Sequence, residues 1–258
     1  MPDHRLPKVP TTYDRIARFY DVDMAQNMRF DDVAFYAHQC ARQRGRVLEV
    51  GCGNGRILLP LLRDGHDAYG IDASAPMLRE LARKSALARL PMRGAQADAR
   101  RLPFPRATLA CVLCPYSLVT YLVSDDDLAT FLRGVRDVLV PGGVVVIDAF
   151  VPRPVEAQDE FTPDYRRPFG AFTLARAKRI TPLPDGTNRI ERCYEMMSGG
   201  GHAVETIEVT DVIRPRPPAA LRAALGDAGF ARIAEAWDYG TRPGADGAQF
   251  VTLTARSP

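Results

Sequence analysis

The sequence lacks several features that would assign it at once to a class of protein. Lys8, Lys84 and Lys178 are its only lysines, and 34 basic residues stand against 31 acidic ones, so the formal net charge is only +3. Such a balance gives no reason to expect binding to nucleic acid or to an anionic membrane surface. No apolar run reaches the ~18 residues of a membrane span, and residues 1–5 lack the apolar core of a signal peptide. These absences predict a soluble, cytoplasmic protein without a membrane partner.

Cysteine is scarce, and its pattern is uninformative. The five cysteines are scattered, and only Cys111 and Cys114 form a C-x-x-C pair, within an apolar run that has no second pair and no histidine nearby. A zinc or redox pair is one interpretation. The alternative, buried thiols in a reducing compartment, is favoured by the absence of further ligands, and no metal is predicted.

The chain is rich in apolar runs that alternate with helix-like segments. Four such runs, at 46–50, 68–71, 109–114 and 144–148, are each followed or preceded by residues with helical spacing. This alternation is typical of parallel strands that are covered on both faces. We therefore predict an α/β fold, with a doubly wound, mostly parallel seven-stranded sheet and helices on both faces.

The pattern changes after residue 154. Between 155 and 214 no helical period is present, and strand-like stretches at 171–180, 188–197 and 203–213 are separated by glycine-rich turns. This segment predicts a small antiparallel β insertion. The predicted organisation is thus an N-terminal part with lid helices and most of the core (1–154), the insertion (155–214), and a segment that completes the core (215–258).

The richest motif is the loop after the first predicted strand. Gly51, Gly53 and Gly55 stand at every second position, where glycine permits a tight turn and close approach of a ligand. A dinucleotide-binding loop would read G-x-G-x-x-G, but here residue 56 is arginine. Glu49 at the mouth of the strand would repel a pyrophosphate, whereas it suits the ammonium and sulfonium groups of S-adenosylmethionine.

The motifs resemble those of the class I (Rossmann-like) S-adenosylmethionine-dependent methyltransferases, of the small-molecule type with an insertion after the fifth strand. The resemblance covers essentially the whole chain. Four motifs in order carry it: Glu49–Gly55, Gly70–Ser74, Ala97–Arg100 and Pro141–Gly143.

The resemblance assigns the ends of the cofactor to particular residues. It implies that Gly51, Gly53 and Gly55 line the methionine portion, with Glu49 near its ammonium and Cys114 at the end of the fourth strand. Such a carboxylate and such a turn are what a cationic ligand requires.

For the nucleoside, the resemblance implies a second set of residues. Asp72 would accept hydrogen bonds from both ribose hydroxyls, with Ala73 beside it. Asp98 would receive the adenine amino group while Ala99 supplies a backbone N–H, and Met77 would pack on the adenine face.

The resemblance also indicates how the acceptor is covered. A tyrosine from the N-terminal lid helix would close over the cofactor, with Tyr20 the first choice and Tyr13 the second, and the insertion would roof the active site. Strand residues alternate between faces, so about half of the aromatic residues there would be core. The residues predicted for the acceptor pocket are Tyr13, Tyr116, Phe169, Phe172, Tyr194, Met196 and Tyr239.

A general base is needed only if the acceptor is protonated at the working pH. Tyr116, Asp148 and His202 are candidates, and Tyr239 is a further one; His202 lies in a glycine-rich turn and Asp148 ends the fifth strand.

The predicted function is methyl transfer to nitrogen or oxygen of a small aromatic or heteroaromatic metabolite, by a monomer or homodimer. Two alternatives stay open: a protein of this fold that binds the cofactor but catalyses a non-methylating reaction, and a regulatory subunit. Residues 113–116 half-resemble the D/N-P-P-Y loop of enzymes that act on nucleic acid or protein, but no basic tract accompanies it.

Overall fold

The computed structural model describes residues 11–258, and this part of the chain forms two β-sheets with α-helices. The helices are α1 (Thr12–Ile16), α2 (Tyr20–Asn27), α3 (Asp32–Ala41), α4 (Leu58–Arg63), α5 (Ala75–Ala88), α6 (Asp125–Val138) and α7 (Pro218–Asp227). The strands are β1 (Val47–Val50), β2 (Ala68–Asp72), β3 (Gly94–Gln96), β4 (Leu109–Cys114), β5 (Leu139–Phe150), β6 (Thr162–Phe169), β7 (Phe172–Pro182), β8 (Asn188–Met197), β9 (Ala203–Ile213), β10 (Ala231–Trp237) and β11 (Phe250–Arg256).

The larger sheet has seven strands in the order β10-β11-β5-β4-β1-β2-β3. The pairs β3–β2, β2–β1, β1–β4 and β4–β5 are parallel, and β11 is antiparallel to both of its neighbours. Every residue of β1 and β4 is buried, because helices cover both faces of the sheet and exclude water from all side chains. The predicted doubly wound α/β fold is confirmed.

The helix starts follow the capping chemistry of the sequence. The Ser74 side chain accepts a hydrogen bond from the Met77 N–H at 3.3 Å, with Pro76 in the first turn of α5. Ser124 caps α6 in the same way, and three aspartates follow it at the positive end of the helix dipole. Both helices therefore begin where their sequences predict.

The two cysteines of the C-x-x-C pair are separated by the sheet. Both are buried in β4, but Cys111 packs among residues on one face of the sheet and Cys114 among those on the other. Because residues three apart in a strand point to opposite faces, these thiols cannot share a zinc ion.

The start of β5 differs from the prediction of a turn. The strand begins at Leu139, five residues before the predicted run, so Pro141–Gly143 lies inside it. Gly142 has φ +75° and donates to the Ser257 carbonyl, while the Ser257 N–H donates to the Gly143 carbonyl. The predicted turn residues thus form an irregularity that is held by the end of β11.

The insertion is an antiparallel sheet of four strands, in the order β6-β7-β8-β9. The prediction contained three strands and missed β6. That strand contains Pro163 and Pro168 and lies at an edge of the sheet, which is where proline is tolerated. We call this four-stranded sheet the roof.

The helices α1 and α2 and the 3₁₀ turn Ala17–Phe19 between them pack against the roof, and we call these three elements together the lid. Ile16 and Phe19 share a buried cluster with Leu174 and Tyr194 of the roof. Between residues 11 and 258, no helix has the length and apolar character required to span a bilayer.

Candidate active site

A cavity of about 640 Å³ lies where β1, β2 and β4 end, beneath the lid and β9. The carboxyl ends of parallel strands are where doubly wound folds bind ligands. Its walls comprise Thr11–Tyr13, Arg15, Tyr20, Val50, Gly51, Gly53, Ile71–Ala73, Met77, Ala97, Ala99, Pro115, Tyr116, Leu118, Tyr121 and Glu208–Val212.

Two of the three predicted glycines form one side of this cavity. Gly51 has φ +75°, and a Cβ atom there would lie 2.3 Å from Leu118 Cδ1. Gly53 has φ +52°, and its Cβ would lie 2.9 Å from Met77 Cε. Both positions need the left-handed backbone that glycine adopts at low cost. Gly51, Gly53 and the buried Met77 line the cavity together.

Gly55 has a different role from the one predicted. It is not among the cavity residues, and a Cβ atom there would meet Leu81 at 2.5 Å and Leu59 at 2.9 Å. These side chains belong to α5 and α4. The third glycine therefore permits close packing of two helices and does not contact the cavity.

Asp72 organises the glycine loop and also lines the cavity. Its Oδ2 accepts the Gly53 N–H at 2.8 Å, and its Oδ1 accepts the Ser74 N–H at 2.8 Å. Burial raises the pKa of Asp72, and the two backbone donors oppose that rise. Each carboxylate oxygen keeps a second lone pair, so a ligand with two hydroxyl groups can still bind to it.

Glu49 lies behind the cavity wall, close to Arg56. It is buried, and its Oε2 has no hydrogen-bond partner among the described residues. Burial raises the pKa of Glu49 well above its ordinary value, while the neighbouring Arg56 lowers it. An unpaired buried carboxylate oxygen beside the glycine loop is what a ligand with an ammonium group would satisfy, so the residues present fit S-adenosylmethionine.

Arg56 is held by Asp32, the first residue of α3. Its two terminal nitrogens donate to the Asp32 carboxylate at 2.6 and 2.7 Å. This bidentate pair leaves the Arg56 charge shared between Asp32 and the nearby Glu49.

Tyr20, the first-choice lid residue, lines the cavity, and burial raises the pKa of its hydroxyl, so the group stays protonated.

Of the residues predicted to bind the nucleoside near its adenine, only some line the cavity. Ala73 and Ala99 line the cavity, and so does Ala97, which was not predicted. Asp98 does not line it. Its carboxylate accepts hydrogen bonds from the backbone and side chain of Arg100, which lower the pKa of Asp98, so this acid is already paired.

At the end of β4, Cys114 was predicted to contact the cofactor, but the two residues that follow it line the cavity instead. Cys114 is fully buried in the core, whereas Pro115 and Tyr116 line the cavity. Tyr116 has φ +56° and Ser117 has φ +57°. This strained backbone turns the tyrosine toward the cavity and away from the strand.

Asp148 holds that strained turn and is not placed as a base. Its carboxylate accepts hydrogen bonds from the backbone N–H groups of Tyr116 and Ser117, at 2.9 and 2.6 Å. The hydroxyls of Tyr36 and Tyr239 donate to it at 2.7 and 2.6 Å. Asp148 is completely buried and outside the cavity, so its predicted catalytic role is replaced by a structural one. Tyr239 was predicted for the acceptor pocket, but its hydroxyl donates to Asp148 and the residue does not line the cavity.

His202 is also far from the chemistry. It is exposed in the turn between β8 and β9 and does not line the cavity. The prediction of a catalytic role is therefore corrected to that of a solvated loop histidine.

The roof faces the cavity through β9 and not through the residues predicted. Phe169 and Tyr194 pack against Phe19 of the lid, with ring centroids 5.2 and 5.6 Å apart. Phe172 is exposed, and Met196 lies outside the cavity. The strand that closes the cavity is the edge strand β9, whose polar residues gave no signal in the sequence.

Two tyrosines from distant parts of the chain meet at the cavity wall. The Tyr13 and Tyr121 hydroxyl oxygens are 3.1 Å apart, and both residues line the cavity. Tyr13 comes from α1 and Tyr121 from the 3₁₀ turn Leu118–Tyr121. Tyr13 was predicted, whereas Tyr121 was missed because it lies well beyond the end of β4.

Comparison with known proteins agrees with this geometry. Residues 47–143 match the family described as methyltransferase domain. The demethylmenaquinone methyltransferase of Thermus thermophilus is 26% identical over 237 residues, which cover 90% of this chain and 94% of that protein. YqeM of Bacillus subtilis, a methyltransferase by similarity, is 29% identical over 137 residues, or 53% of this chain and 54% of that protein, so that match spans about half of each.

Two solved structures share the whole architecture. An S-adenosylmethionine-dependent methyltransferase from Clostridium acetobutylicum is 16% identical, with a TM-score of 0.78, over 95% of this chain and 98% of that one. The sugar N-methyltransferase KedS8 from Streptoalloteichus is 22% identical, with a TM-score of 0.70, over 98% of this chain and 96% of that one. At these identities the likeness shows the fold.

The fold is that of solved S-adenosylmethionine-dependent methyltransferases, and the cavity lies at the carboxyl ends of the parallel strands within and above the matched domain. The chain carries the methyltransferase domain at residues 47–143, and together the domain match, the relatives and the shared fold support a methyltransferase with S-adenosylmethionine as its cofactor.

Proposed function

We propose that the chain transfers a methyl group to the nitrogen of a small, ring-containing amine. The observation that carries this proposal is the acceptor end of the cavity, where Tyr13, Tyr20, Tyr116 and Tyr121 form the wall. Tyrosine faces bind rings and attract cations. An ammonium group on a ring therefore matches this wall.

The titratable groups that line the cavity favour a nitrogen acceptor over an oxygen acceptor. Among residues 11–258, no histidine lines the cavity, Asp148 lies outside it, and the carboxylate of Asp211, which does line it, is paired with Arg192. Burial raises the pKa of Tyr20 and of Tyr116 well above the ordinary phenol value, so these hydroxyls donate hydrogen bonds and are poor bases. An alcohol acceptor needs a base, whereas an amine can lose its proton to water before it reacts.

The chain's own contribution is placement. Bound S-adenosylmethionine supplies a methyl group on a positively charged sulfur. The glycine loop and Asp72 line one part of the cavity and the tyrosine wall lines another, so these residues would hold the cofactor and the acceptor within one cavity. Charge is neutralised as the methyl group moves, and orientation with exclusion of water can therefore supply most of the acceleration.

The fold neighbour KedS8, a sugar N-methyltransferase, supports a nitrogen acceptor at the level of architecture alone. The aromatic character predicted from the sequence rests now on the tyrosine wall, since Phe169, Phe172, Tyr194, Met196 and Tyr239 are outside the cavity. Whether the enzyme works as a monomer or a homodimer, and in the cytoplasm, stays a prediction.

A turnover screen tests the proposal. Cyclohexylamine, benzylamine and glucosamine are compared with cyclohexanol, benzyl alcohol, phenol and glucose, and the methylated product is identified by mass spectrometry. We expect turnover of amines, with kcat/KM rising with pH to a plateau that follows the pKa of each amine. Methylation of phenol or an alcohol, with none of any amine, contradicts the proposal.

A further inference from the structure

An ion pair lies on the inner face of the roof. The Arg192 side chain on β8 donates through Nη1 to Oδ2 of Asp211 on β9. The two side chains are only 16% and 11% exposed, so this pair is largely removed from water. Of the two residues, only Asp211 lines the cavity.

The position of Asp211 follows from the alternation of β9. Ile207 and Val209 are buried against the lid, and Asp211 is the next residue on the same face. An apolar residue would continue this pattern. The strand instead places a carboxylate at the cavity, at the end where Tyr13 and Tyr121 meet.

Only one of the two carboxylate oxygens of Asp211 accepts a hydrogen bond within residues 11–258. Arg192 binds Oδ2, and no residue of the range 11–258 donates a hydrogen bond to Oδ1. A carboxylate that is mostly buried is costly unless it is paired, and the arginine offsets that cost while leaving one oxygen available. The pair is therefore suited to hold a carboxylate in a fixed orientation for a donor that enters the cavity.

We infer that Asp211 is the residue that recognises the acceptor, by accepting a hydrogen bond from its amino group, and that Arg192 is a positioning residue for this carboxylate. The inference rests on the proposed function and deepens it. A carboxylate binds the ammonium form of an amine by a charge-assisted hydrogen bond, which an uncharged alcohol of the same shape cannot form.

Binding to the protein loaded with S-adenosylhomocysteine tests this without turnover. The probes are cyclohexylamine and benzylamine, each compared with cyclohexanol or benzyl alcohol, and the readout is the dissociation constant from ligand-observed NMR. For wild type we expect tighter binding of each amine. In Asp211→Asn that preference should fall by roughly 10- to 100-fold, the value of a hydrogen bond to a charged group.

Matched variants separate recognition from folding. Glu205→Gln makes the same chemical change on β9 in a residue that pairs with Arg18 and does not line the cavity, and the amine preference should be retained. Arg192→Lys keeps the charge but loses the planar geometry, so we expect an intermediate preference. Affinity for S-adenosylhomocysteine should be unchanged in all three variants, which also shows that they are folded.

Each outcome has one meaning. Loss of the amine preference in Asp211→Asn but not in Glu205→Gln, with cofactor affinity intact, supports the inference. An unchanged preference in Asp211→Asn overturns it while leaving amine methylation standing, since the turnover screen reads that separately. A wild-type protein that prefers neither probe class also overturns it, and equal losses in Asp211→Asn and Glu205→Gln would show a general electrostatic effect and not recognition.

Discussion

Asp23 of the lid forms a buried ion pair with Arg176 of the roof, with 2.7 Å between Oδ1 and Nη1. The hydroxyl of Tyr194 donates to the other carboxylate oxygen at 2.7 Å, and Tyr165 donates to Oδ1. Arg176 also binds Asp164 through Nε at 2.8 Å. The lid and the roof are thus joined by a shared buried network.

Replacing Asp23 with asparagine should uncouple the lid from the roof. The change leaves the buried Arg176 charge with Asp164 as its remaining anionic partner, so we expect a loss of about 3 kcal/mol in the free energy of unfolding, measured in urea. The control is Lys178→Met, which removes the half-exposed pair with Asp164 and should cost less than about 1 kcal/mol. Similar losses in the two variants would contradict the buried network as the main contact.

Glu49→Gln should stabilise the protein without cofactor and weaken cofactor binding. Burial raises the pKa of Glu49 well above its ordinary value of 4.5, so the folded protein holds this proton more tightly than the unfolded chain does. Wild-type stability therefore declines as the pH rises from about 4.5 through the raised pKa. The glutamine variant lacks that decline.

Urea unfolding from pH 4 to 8 measures the difference between the two proteins. We expect the stability gap in favour of glutamine to grow with pH and then level off, and calorimetry to show weaker binding of S-adenosylhomocysteine, which has an ammonium group. A gap that stays constant with pH would rule out ionisation of Glu49 as its cause.

Gly51→Ala should reduce cofactor affinity through contact as well as strain. Its Cβ would lie 2.3 Å from Leu118 Cδ1, at φ +75°. Gly65→Ala is the matched control, because its φ is +84° but nothing lies within 4 Å of the added atom. Both variants should lose about 1–2 kcal/mol of stability from the left-handed backbone. Only Gly51→Ala should bind S-adenosylhomocysteine at least about tenfold more weakly; equal affinities would show that the ligand does not approach Gly51.

Asp148→Asn should lower stability without removing a catalytic base. The carboxylate accepts four hydrogen bonds, and an amide nitrogen cannot accept those that point at it. Tyr36→Phe removes one donor and should cost about 1–3 kcal/mol, with the asparagine variant costing more. Turnover by either folded variant should keep the shape of the wild-type pH profile. The control His202→Ala should have the stability and the pH profile of wild type. Loss of one limb of the profile in Asp148→Asn would restore the carboxylate as a base.

The cofactor end of the site could be predicted from the sequence because local backbone rules determine it. A strand that ends in Gly51–Gly53, followed by a strand that ends in Asp72, brings these residues together wherever the strands are parallel and adjacent. Ser74 likewise caps α5 through a contact only three residues away. Motifs of this kind require no knowledge of distant packing.

The acceptor end could not be predicted in the same way. Asp211 and Val212 reach the cavity because the roof folds back over the lid, and Tyr121 does so because the turn after β4 meets Tyr13 of α1. Period and composition do not encode these long-range relations. The aromatic residues Phe169 and Tyr194 gave the stronger signal, but their apolar faces were needed to pack the roof onto Phe19. Asp148 carried a catalytic signal in its position, yet its partners come from three separate elements.

The network around Asp23 has a consequence for engineering. The lid and the roof both lie outside residues 47–143, and their buried charges balance each other and not those of the domain beneath. In a chimera, a roof grafted from another methyltransferase would leave Asp23 facing a surface without Arg176. A change of substrate by grafting therefore calls for both elements as one cassette, transplanted onto an unchanged cofactor domain.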